Sequence, residues 1–505
     1  MIFSLISSAS GFIREILIAA KFGSTWQTDA YFVAITGVHI VNLLVASSLR
    51  TILIPILTEV EVAKGKNRKI VETNNFVNFG VLVSLVLIVF GVLAAPILTK
   101  VLATGFEGEQ FDLAVLFLRI GMASLIFKTI VGIFRGYLQS EERFFESGLS
   151  DASVNILVIF FLVTMSARFG IIGLAVFNAA SEISQLLIQI PGLIKTGYFY
   201  KFYLNIKSKH LSKFLVLVPP ILISTAIYDV QKIIDKTIAS NLVEGSISAL
   251  NYAEKIERTI VSVFVTALVV VLFPTLSKKA SDDNYDEIKR VSSSGLNSIL
   301  LITLPASLGL MVFASPIVEL VYQRGQFDVR AVEMTSAALV FYALGIVPFS
   351  LRMFYNNVYF AIQDTKTPMI NGAITVGIKI ILSLILVRYL QHAGLPLATV
   401  IAAVIMTGLL IKGLSKKIGY KIERDNLEVF IKSTLISVII VALAYITYNY
   451  ANSILKANAI QNLLALTISV GFAAAIYSLI LFLWGVKEVK TIGLAGWEFI
   501  RKIIN

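Results

Sequence analysis

The sequence predicts an all-α polytopic membrane protein, and two observations lead to that fold class. First, 57% of the residues are hydrophobic and only 15% are charged, whereas a soluble protein carries about 25% charged residues. Second, the apolar residues come in runs of about 20, which is the length that a helix needs to cross ~30 Å of hydrocarbon. The bilayer is therefore expected to be the main solvent of this chain.

Fourteen hydrophobic helices are predicted along the 505 residues. They lie near residues 2–21, 28–58, 76–103, 111–138, 149–167, 170–194, 211–240, 246–276, 293–322, 331–362, 367–390, 394–414, 428–450 and 460–485. The tail from Gly485 to Asn505 is predicted to be a short amphipathic surface helix. Arg14 and Glu15 interrupt the first apolar run, and no small-residue cleavage site follows it. This run is therefore expected to be a retained helix and not a cleaved signal peptide.

The connections between the predicted helices indicate which side of the membrane they face. Lys and Arg are concentrated after the second, sixth, eighth and twelfth helices and in the tail, for example in Lys64, Lys66, Arg68 and Lys69 after the second helix. Connections after odd-numbered helices are short and poor in these residues. The positive-inside rule then places both termini in the cytoplasm. The same loops account for the net charge of +12, so no nucleic-acid partner is expected.

Two weak matches indicate an internal repeat. "GYLQSEERF" ends the fourth predicted helix and "FAIQDTKTP" ends the tenth, and their glutamines lie 224 positions apart. Tyr31 and Tyr252 begin the second and eighth helices and lie 221 positions apart. The predicted domains are an N-terminal lobe of six helices (1–195), a C-terminal lobe of six helices (196–415) and a last part with helices 13 and 14 and the tail (416–505). Parallel repeats of this kind occur in transporters that bind substrate between the halves.

Charged and polar residues at membrane depth gather on the first two predicted helices of each half. Such residues usually face a cavity or one another, so these helices are expected to line one central polar cavity. The candidate substrate-binding residues are Arg14, Glu15, Asp29, Arg50, Asp229, Lys232, Lys236, Asn251, Glu254, Lys255 and Arg258. The last four share one helical face, because they are spaced by three, four and seven residues. The competing interpretation is that single ion pairs, such as Arg14 with an aspartate of the seventh helix, serve packing alone.

The charge of this set favours an anionic substrate, because basic residues slightly outnumber acidic ones. A guanidinium group donates two hydrogen bonds at once and suits diphosphates and carboxylates. No cofactor is expected, and a coupling cation or the membrane potential is the predicted energy source; one charge crossing 100 mV is worth about 2.3 kcal/mol. Glu15, Asp29, Asp229, Asp235 and Glu254 could bind such a cation, and the sequence does not choose among them.

Enzyme chemistry has little support in the sequence. The chain has no cysteine and three widely spaced histidines, so neither a disulfide nor a metal site is expected. No P-loop and no HExxH motif is present, and no region outside the predicted helices is large enough to hold an active site. A transporter is therefore predicted, and a non-transporting scaffold would explain neither the charges within the membrane nor the repeat.

Five blocks of the sequence resemble the MurJ (MviN) lipid II flippases of the multidrug/oligosaccharidyl-lipid/polysaccharide exporter superfamily. The blocks are "GFIREILIAAKFG…TDAYFVA", "GSISALNYAEKIERTIVSVFVTALVVVLFPTLSK", "LVYQRGQFD", "YALGIVPFSLRMFYNNVYFAIQDTKTPM" and "GLPLATVIAA". The resemblance runs over almost the whole chain. It implies fourteen helices in two lobes around a central cationic cavity, with the last two helices forming a groove for a polyprenyl tail. The implied activity moves the undecaprenyl-linked peptidoglycan precursor from the inner to the outer leaflet of the bacterial cytoplasmic membrane.

The family's functional residues carry over only where the motifs match. Arg14 matches a first-helix arginine, Glu15 its neighbouring acid, and Asp29 the aspartate of the "TDA" motif. Glu254 and Lys255 match an acid–arginine pair in the eighth helix, so this chain has lysine as the basic member. "VNLLVASSLRTILIPIL" also lacks the arginines and the glutamate that usually follow "NLL", and the resemblance leaves open whether Arg50 replaces them.

The predicted function is a flippase that moves lipid II by alternating access, as a monomer in contact with membrane lipids. Two alternatives stay open at this point. One is a flippase for another undecaprenyl-linked glycan, such as an exopolysaccharide repeat unit. The other is a cation-coupled multidrug antiporter of the same superfamily, which should show an acid-dominated cavity.

Overall fold

The computed structural model describes residues 2–282, 284–455 and 459–484, and these residues form helices and connecting turns without any β-strand. The α-helices are α1 (Ile2–Phe22), α2 (Trp26–Lys64), α3 (Lys66–Leu102), α4 (Gly108–Met122), α5 (Leu125–Ser140), α6 (Phe145–Thr164), α7 (Ser166–Lys195), α8 (Lys209–Ala239), α9 (Ser246–Val261), α10 (Ala267–Ser281), α11 (Tyr285–Val312), α12 (Ala314–Tyr322), α13 (Val329–Ala361), α14 (Lys366–Leu390), α15 (Gly394–Ile418), α16 (Arg424–Leu455) and α17 (Ala459–Leu483). A π-helix (Ser262–Thr266) joins α9 to α10, and a 3-10 turn (Gln391–Ala393) precedes α15.

The predicted all-α membrane class is confirmed. Each predicted hydrophobic segment coincides with one helix or with two consecutive helices, such as α4 and α5. Among the described residues, eight helical stretches are long and apolar enough to cross a membrane: Lys66–Leu102, Gly108–Ser140, Ser166–Lys195, Tyr285–Val312, Val329–Ala361, Lys366–Ile418, Arg424–Asn452 and Gln461–Leu481. The count of fourteen crossings stays a prediction, and the predicted surface helix of the tail lies outside the described residues.

The chain forms two compact units. The first contains Met1–Tyr252 and Arg324–Ala331, and the second contains Ala253–Gln323 and Val332–Asn505. In the first unit α2 packs against α3, α4, α5 and α8. The second unit is built around the packing of α14 on α15 and of α16 on both α11 and α17. The predicted domain boundaries at 195 and 415 stay a prediction.

Left-handed backbone conformations recur along the chain at one nearly constant spacing. Four pairs of residues with positive φ lie 221 or 222 positions apart: Gly23 with Gly245, Glu142 with Gln363, Gly170 with Gln391, and Gly197 with Gly419. Left-handed residues commonly end helices. The spacing agrees with the 221 positions between the two tyrosines and differs by three from the spacing of the two glutamines. The backbone therefore supports a repeat of about 221 residues.

Helices α5 and α13 show this repeat in most detail, because they end with the same hydrogen bonds. Arg143 N donates to Leu138 O and Asp364 N donates to Tyr359 O, both at 2.9 Å. This bond, from the second residue beyond the cap back across the last turn, is typical of a Schellman motif. An acidic residue in each turn binds lysine: Glu141 binds Lys66 and Lys69, and Asp364 binds Lys417. The quoted "QSEER" and "QDTKT" segments are thus helix ends that carry ion pairs.

The ion pairs of Lys69 lie inside the first unit, where α2 ends and α3 begins. Lys69 has a fully buried side chain, and its Nζ lies 2.6 Å from Glu61 Oε2 and 2.5 Å from Glu141 Oε1. The Tyr137 ring lies beneath the ammonium group, 5.3 Å from Nζ to the ring centroid. A buried ammonium group is tolerated when it is paired in this way, and we call Lys69, Glu61 and Glu141 the lysine clamp.

Candidate functional site

The structure describes the side chains of ten of the eleven candidate residues, and that of Arg50 lies outside the described set. Seven belong to the first unit: Arg14, Glu15, Asp29, Asp229, Lys232, Lys236 and Asn251. The other three, Glu254, Lys255 and Arg258, belong to the second unit. The single central cavity that these residues are expected to line stays a prediction.

Arg14, Glu15 and Asn251 form a small polar cluster between α1 and the start of α9. Asn251 Nδ2 donates to Glu15 Oε1 at 2.8 Å, and Arg14 Nε lies 3.9 Å from Glu15 Oε2. That distance is longer than the ~2.7–2.9 Å of a charge-assisted hydrogen bond. Neither Arg14 Nε nor Glu15 Oε2 makes a hydrogen bond to any described residue, although both atoms are buried. Asn251 therefore orients the Glu15 carboxylate through one of its two oxygens, and the role of the cluster in substrate binding stays a prediction.

Asp29 has a different environment, because it binds the first turn of α9. Its carboxylate accepts hydrogen bonds from Gly245 N at 2.8 Å, from Ser248 N at 2.7 Å and from Ser248 Oγ at 2.6 Å. The first N–H groups of a helix lack intrahelical partners, and a negative charge there is favourable. Gly245 has φ +87°, and a Cβ on it would lie 2.6 Å from Ser24 O, so only glycine fits this close approach. Asp29 therefore links α2 to the start of α9, and its role in substrate binding stays a prediction.

We expect Asp29→Ala to destabilise the protein by about 2–4 kcal/mol, because two buried N–H groups and a hydroxyl lose their acceptor. Asp29→Asn keeps one acceptor oxygen and should lie between the wild type and the alanine variant. Thermal unfolding of the purified protein in detergent measures the effect. Asp112→Ala is the matched control, since Asp112 is exposed on α4 and should change stability by less than about 0.5 kcal/mol. A fully stable but inactive Asp29→Ala protein would contradict the structural role.

The candidate residues of α8 contact groups on α2. Asp229 Oδ1 lies 3.4 Å from both His39 Nε2 and Lys232 Nζ. One turn further, Lys236 Nζ lies 5.7 Å from the centroid of the Phe32 ring, which is a cation–π distance. Asp229 and Lys232 are therefore neighbours on one face of α8. The contact of His39 with Asp229 was not predicted, because a single histidine in an apolar run gives no signal in the sequence.

A cavity of about 170 Å³ lies next to His39 in the first unit. Its polar lining comes from Tyr31, His39, Ser124, Lys128 and Asn178. None of these residues was among the candidates. They belong to α2, α5, α7 and the short connection before α5, so only the folded packing brings them together.

A polar seam extends from this cavity through α5, α6 and α7. Lys128 Nζ lies 3.3 Å from Glu182 Oε1, and Arg135 Nη2 lies 2.8 Å from Asp151 Oδ1. Gln185 joins the two pairs, since it donates to Glu182 and accepts from Arg135 at 3.1 Å. The available signal was the spacing of Lys128 and Arg135, which are seven residues apart and share a helical face.

The candidates of the second unit lie on the C-terminal half of α9. Arg258 Nη2 lies 2.5 Å from Glu254 Oε1, and both side chains are partly exposed. This contact agrees with the predicted shared face of Glu254 and Arg258. Lys255 is half-buried, and its carbonyl accepts from Thr259 Oγ1 at 2.8 Å. Glu257, which was not a candidate, is only 4% exposed, so burial alone distinguishes it from its neighbours.

Metal ligands are not grouped in the part of the chain that the structure describes. No three His, Asp or Glu side chains there lie together as the ligands of a metal ion would.

Comparison with known proteins decides the family. Residues 18–470 match the family model described as "Lipid II flippase MurJ". The chain belongs to the MurJ family. Its MurJ relatives include the "Probable lipid II flippase MurJ" of Vibrio cholerae, which is 27% identical over 96% of this chain and 94% of the relative. The "Lipid II flippase MurJ" of Burkholderia cenocepacia is also 27% identical, over 96% of both chains.

Solved structures agree with the MurJ assignment. A structure described as "Lipid II flippase MurJ, inward closed conformation" superposes with a TM-score of 0.81 at 25% identity and covers 95% of this chain and 98% of its own. An inward-facing multidrug transporter of the MATE family gives a TM-score of 0.71 at 15% identity, over 82% of this chain and 94% of its own. The second match shows a shared fold alone. The predicted resemblance to MurJ is confirmed.

Proposed function

We propose that this chain moves lipid II, the undecaprenyl-diphosphate-linked peptidoglycan precursor, from the inner to the outer leaflet by alternating access. The match of residues 18–470 to the lipid II flippase family carries the proposal. The arrangement of Arg14, Glu15 and Asn251 supports it, because a polar head group needs hydrogen-bonding partners at membrane depth.

Arg14 is the residue that we assign to the diphosphate. Among the described residues its guanidinium group forms one ion pair, a long contact with Glu15, so turning toward an incoming anion breaks no short ion pair there. Glu15 stays oriented by Asn251 and keeps the arginine in place between transport cycles. A guanidinium group binds diphosphate oxygens in pairs, so head-group recognition needs arginine here and not merely a positive charge.

The finer features of the proposal follow from the distribution of charge. We place the protein as a monomer in the bacterial cytoplasmic membrane, with both termini and the lysine-rich connections on the cytoplasmic side. The membrane potential or a bound cation is proposed as the energy source, and Glu15, Asp29, Asp229, Asp235 and Glu254 are the candidate cation ligands. A multidrug antiporter is disfavoured, because the candidate residues in the membrane are slightly more basic than acidic.

A flippase for a different undecaprenyl-linked glycan is the second candidate. The observation that favours it is the segment 41–57, which lacks the arginines and the glutamate typical of the resemblance. Lys255, which stands where the resemblance has an arginine, also favours a different glycan. The glycan and not the lipid would then differ from lipid II.

Complementation tests the proposal. The chain is expressed in bacteria depleted of their own lipid II flippase, and its level in the membrane is measured in parallel. We expect growth to be restored. Binding of lipid II and of undecaprenyl diphosphate without sugars is then compared by native mass spectrometry of the purified protein. Failure to restore growth, together with equal binding of both lipids, would overturn lipid II as the substrate.

A further inference from the structure

The connection between α7 and α8 is a segment without helix that is held against α3. We call residues 198–208 the strap. It begins after Gly197, whose φ of +74° ends α7, and it contains no helix before α8 starts at Lys209. Its sequence, "YFYKFYLNIKS", is largely apolar although it lies outside the helices.

Three asparagines of α3 hold the strap by its backbone. Asn74 Nδ2 donates to Phe199 O at 3.2 Å, and Asn78 Nδ2 donates to Tyr203 O at 3.0 Å. Asn75 makes two bonds with the backbone of Asn205, donating to its carbonyl at 3.1 Å and accepting from its N–H at 2.6 Å. The backbone is therefore fixed at three points along one face of α3.

Two tyrosine hydroxyl groups of the strap reinforce this attachment. Tyr198 donates to Asn74 Oδ1, and Tyr200 donates to Asn78 Oδ1 at 2.7 Å. Each of these two asparagines thus uses both ends of its amide group on the strap. The strap has one defined position relative to α3.

That position coincides with the level at which α3 passes from polar to apolar sequence. Before the asparagines α3 carries Arg68, Lys69 and Glu72, and from Phe76 onward its sequence is almost entirely apolar. The helix is long and apolar enough to cross a membrane. The residues that hold the strap therefore mark the boundary between head groups and hydrocarbon, so the strap lies at that boundary.

The outward face of the strap is apolar. Phe202, Leu204 and Ile206 are 72%, 38% and 59% exposed, while Tyr203 and Asn205 between them are partly buried. This alternation is expected of an extended backbone, whose successive side chains point to opposite sides. A row of exposed large apolar side chains is characteristic of a surface that is covered in the native environment.

Lysines lie on both sides of this apolar row, so a partner that covers it is expected to carry negative charge. Lys195, Lys201, Lys207 and Lys209 are all exposed. Within residues 195–209 no acidic residue offsets them. Apolar side chains flanked by lysine are typical of segments that lie in the membrane interface and attract anionic lipids.

We propose that the strap is an interfacial membrane anchor that binds anionic phospholipids. Phe202, Leu204 and Ile206 insert below the head groups, while Lys201 and Lys207 bind the lipid phosphates. The proposal does not depend on lipid II being the transported molecule.

Site-directed spin labelling tests the depth of the strap, and the absence of cysteine from the chain makes single labels simple to place. Phe202→Cys and Ile206→Cys are compared with Lys201→Cys in the full-length protein, reconstituted in vesicles of phosphatidylethanolamine and phosphatidylglycerol. Val89→Cys on the exposed side of α3 is the lipid control, and Glu109→Cys on α4 is the water control. We expect the labels at 202 and 206 to favour oxygen over a water-soluble nickel reagent, as at 89, and the label at 201 to behave as at 109. Labels at 202 and 206 that are reached by nickel as easily as at 109 would overturn the proposal.

The lysines are tested separately by lipid composition. In vesicles of phosphatidylcholine alone we expect the label at Ile206→Cys to lie closer to water than in vesicles with phosphatidylglycerol. Adding Lys201→Gln and Lys207→Gln should abolish that difference. Equal depth in both lipids for the otherwise unchanged protein would overturn the selectivity for anionic lipids. Labels exposed in vesicles but protected in native membranes would indicate a protein partner on the strap and overturn the lipid anchor.

Discussion

Replacing Lys69 with methionine is expected to destabilise the first unit by about 3–5 kcal/mol, which is the usual cost of removing one partner from a buried ion pair. The lysine side chain is fully buried between Glu61 and Glu141. Methionine fills a similar volume but leaves the Glu141 carboxylate, only 10% exposed, without its main partner. Thermal unfolding in detergent should show the loss, and less folded protein should reach the membrane.

Lys66→Met is the matched control for this prediction. Lys66 contacts the same Glu141 carboxylate at 2.9 Å, but its own side chain is 46% exposed. Exposed ion pairs contribute about 1 kcal/mol at most, so this variant should be nearly as stable as the wild type. Equal losses of stability in Lys69→Met and Lys66→Met would contradict the expectation that burial of Lys69 makes its ion pair the stronger one.

The lysine clamp also predicts how the effect changes with pH. Burial raises the pKa of Glu141, but the hydrogen bonds from Lys69 and Lys66 outweigh it and hold the pKa below its ordinary value of 4.5. A carboxylate with a lowered folded-state pKa adds stability above the unfolded pKa, and this stability is lost as the pH falls through the folded pKa. The difference in stability between the wild type and Lys69→Met should therefore shrink on acidification. A difference that grows at low pH would contradict the assignment.

Replacing Arg14 with alanine is expected to abolish complementation while the protein stays in the membrane at a normal level. The two effects can be separated, because the one ion pair that Arg14 forms among the described residues is long and its side chain is 27% exposed. Asn251 continues to bind Glu15 in the variant. Arg14→Lys keeps the charge but not the paired donors, so it should restore growth only in part. Growth of the depleted strain and immunoblots of its membranes provide both readouts.

Lys21→Ala is the control on the same helix, since Lys21 is exposed in the last turn of α1 and should leave growth unchanged. Loss of both growth and protein in Arg14→Ala would favour the interpretation that the arginine serves packing. In that case removing the carboxylate as well, with Glu15→Gln, should bring the protein level back. No recovery of growth is expected in the double variant if Arg14 binds the diphosphate.

The sequence predicted the helical membrane fold because hydrophobic run length is a local property. It also predicted which intramembrane residues are polar, and some contacts, such as Glu254 with Arg258, follow from spacing on one helix. It did not predict that Asp29 binds the start of α9, because that contact joins residues more than 200 positions apart. His39 was missed because a single histidine in an apolar run gives no signal. The spacing of Lys128 and Arg135 on α5 indicated a polar face, but it did not show which residues of α6 and α7 complete the seam.

The recurrence of left-handed turns every 221 or 222 residues bears on how the chain originated. Three of the eight residues involved, Glu142, Gln363 and Gln391, are not glycine, so the same backbone conformation recurs at positions with different side chains. A unit with an even number of membrane crossings can be duplicated in tandem and keep its orientation, whereas a unit with an odd number would be inverted in the second copy. The regular spacing of these residues is what duplication of a gene of about half this length would leave, and we expect relatives of such a half to be found more readily by the spacing of turns than by matching side chains.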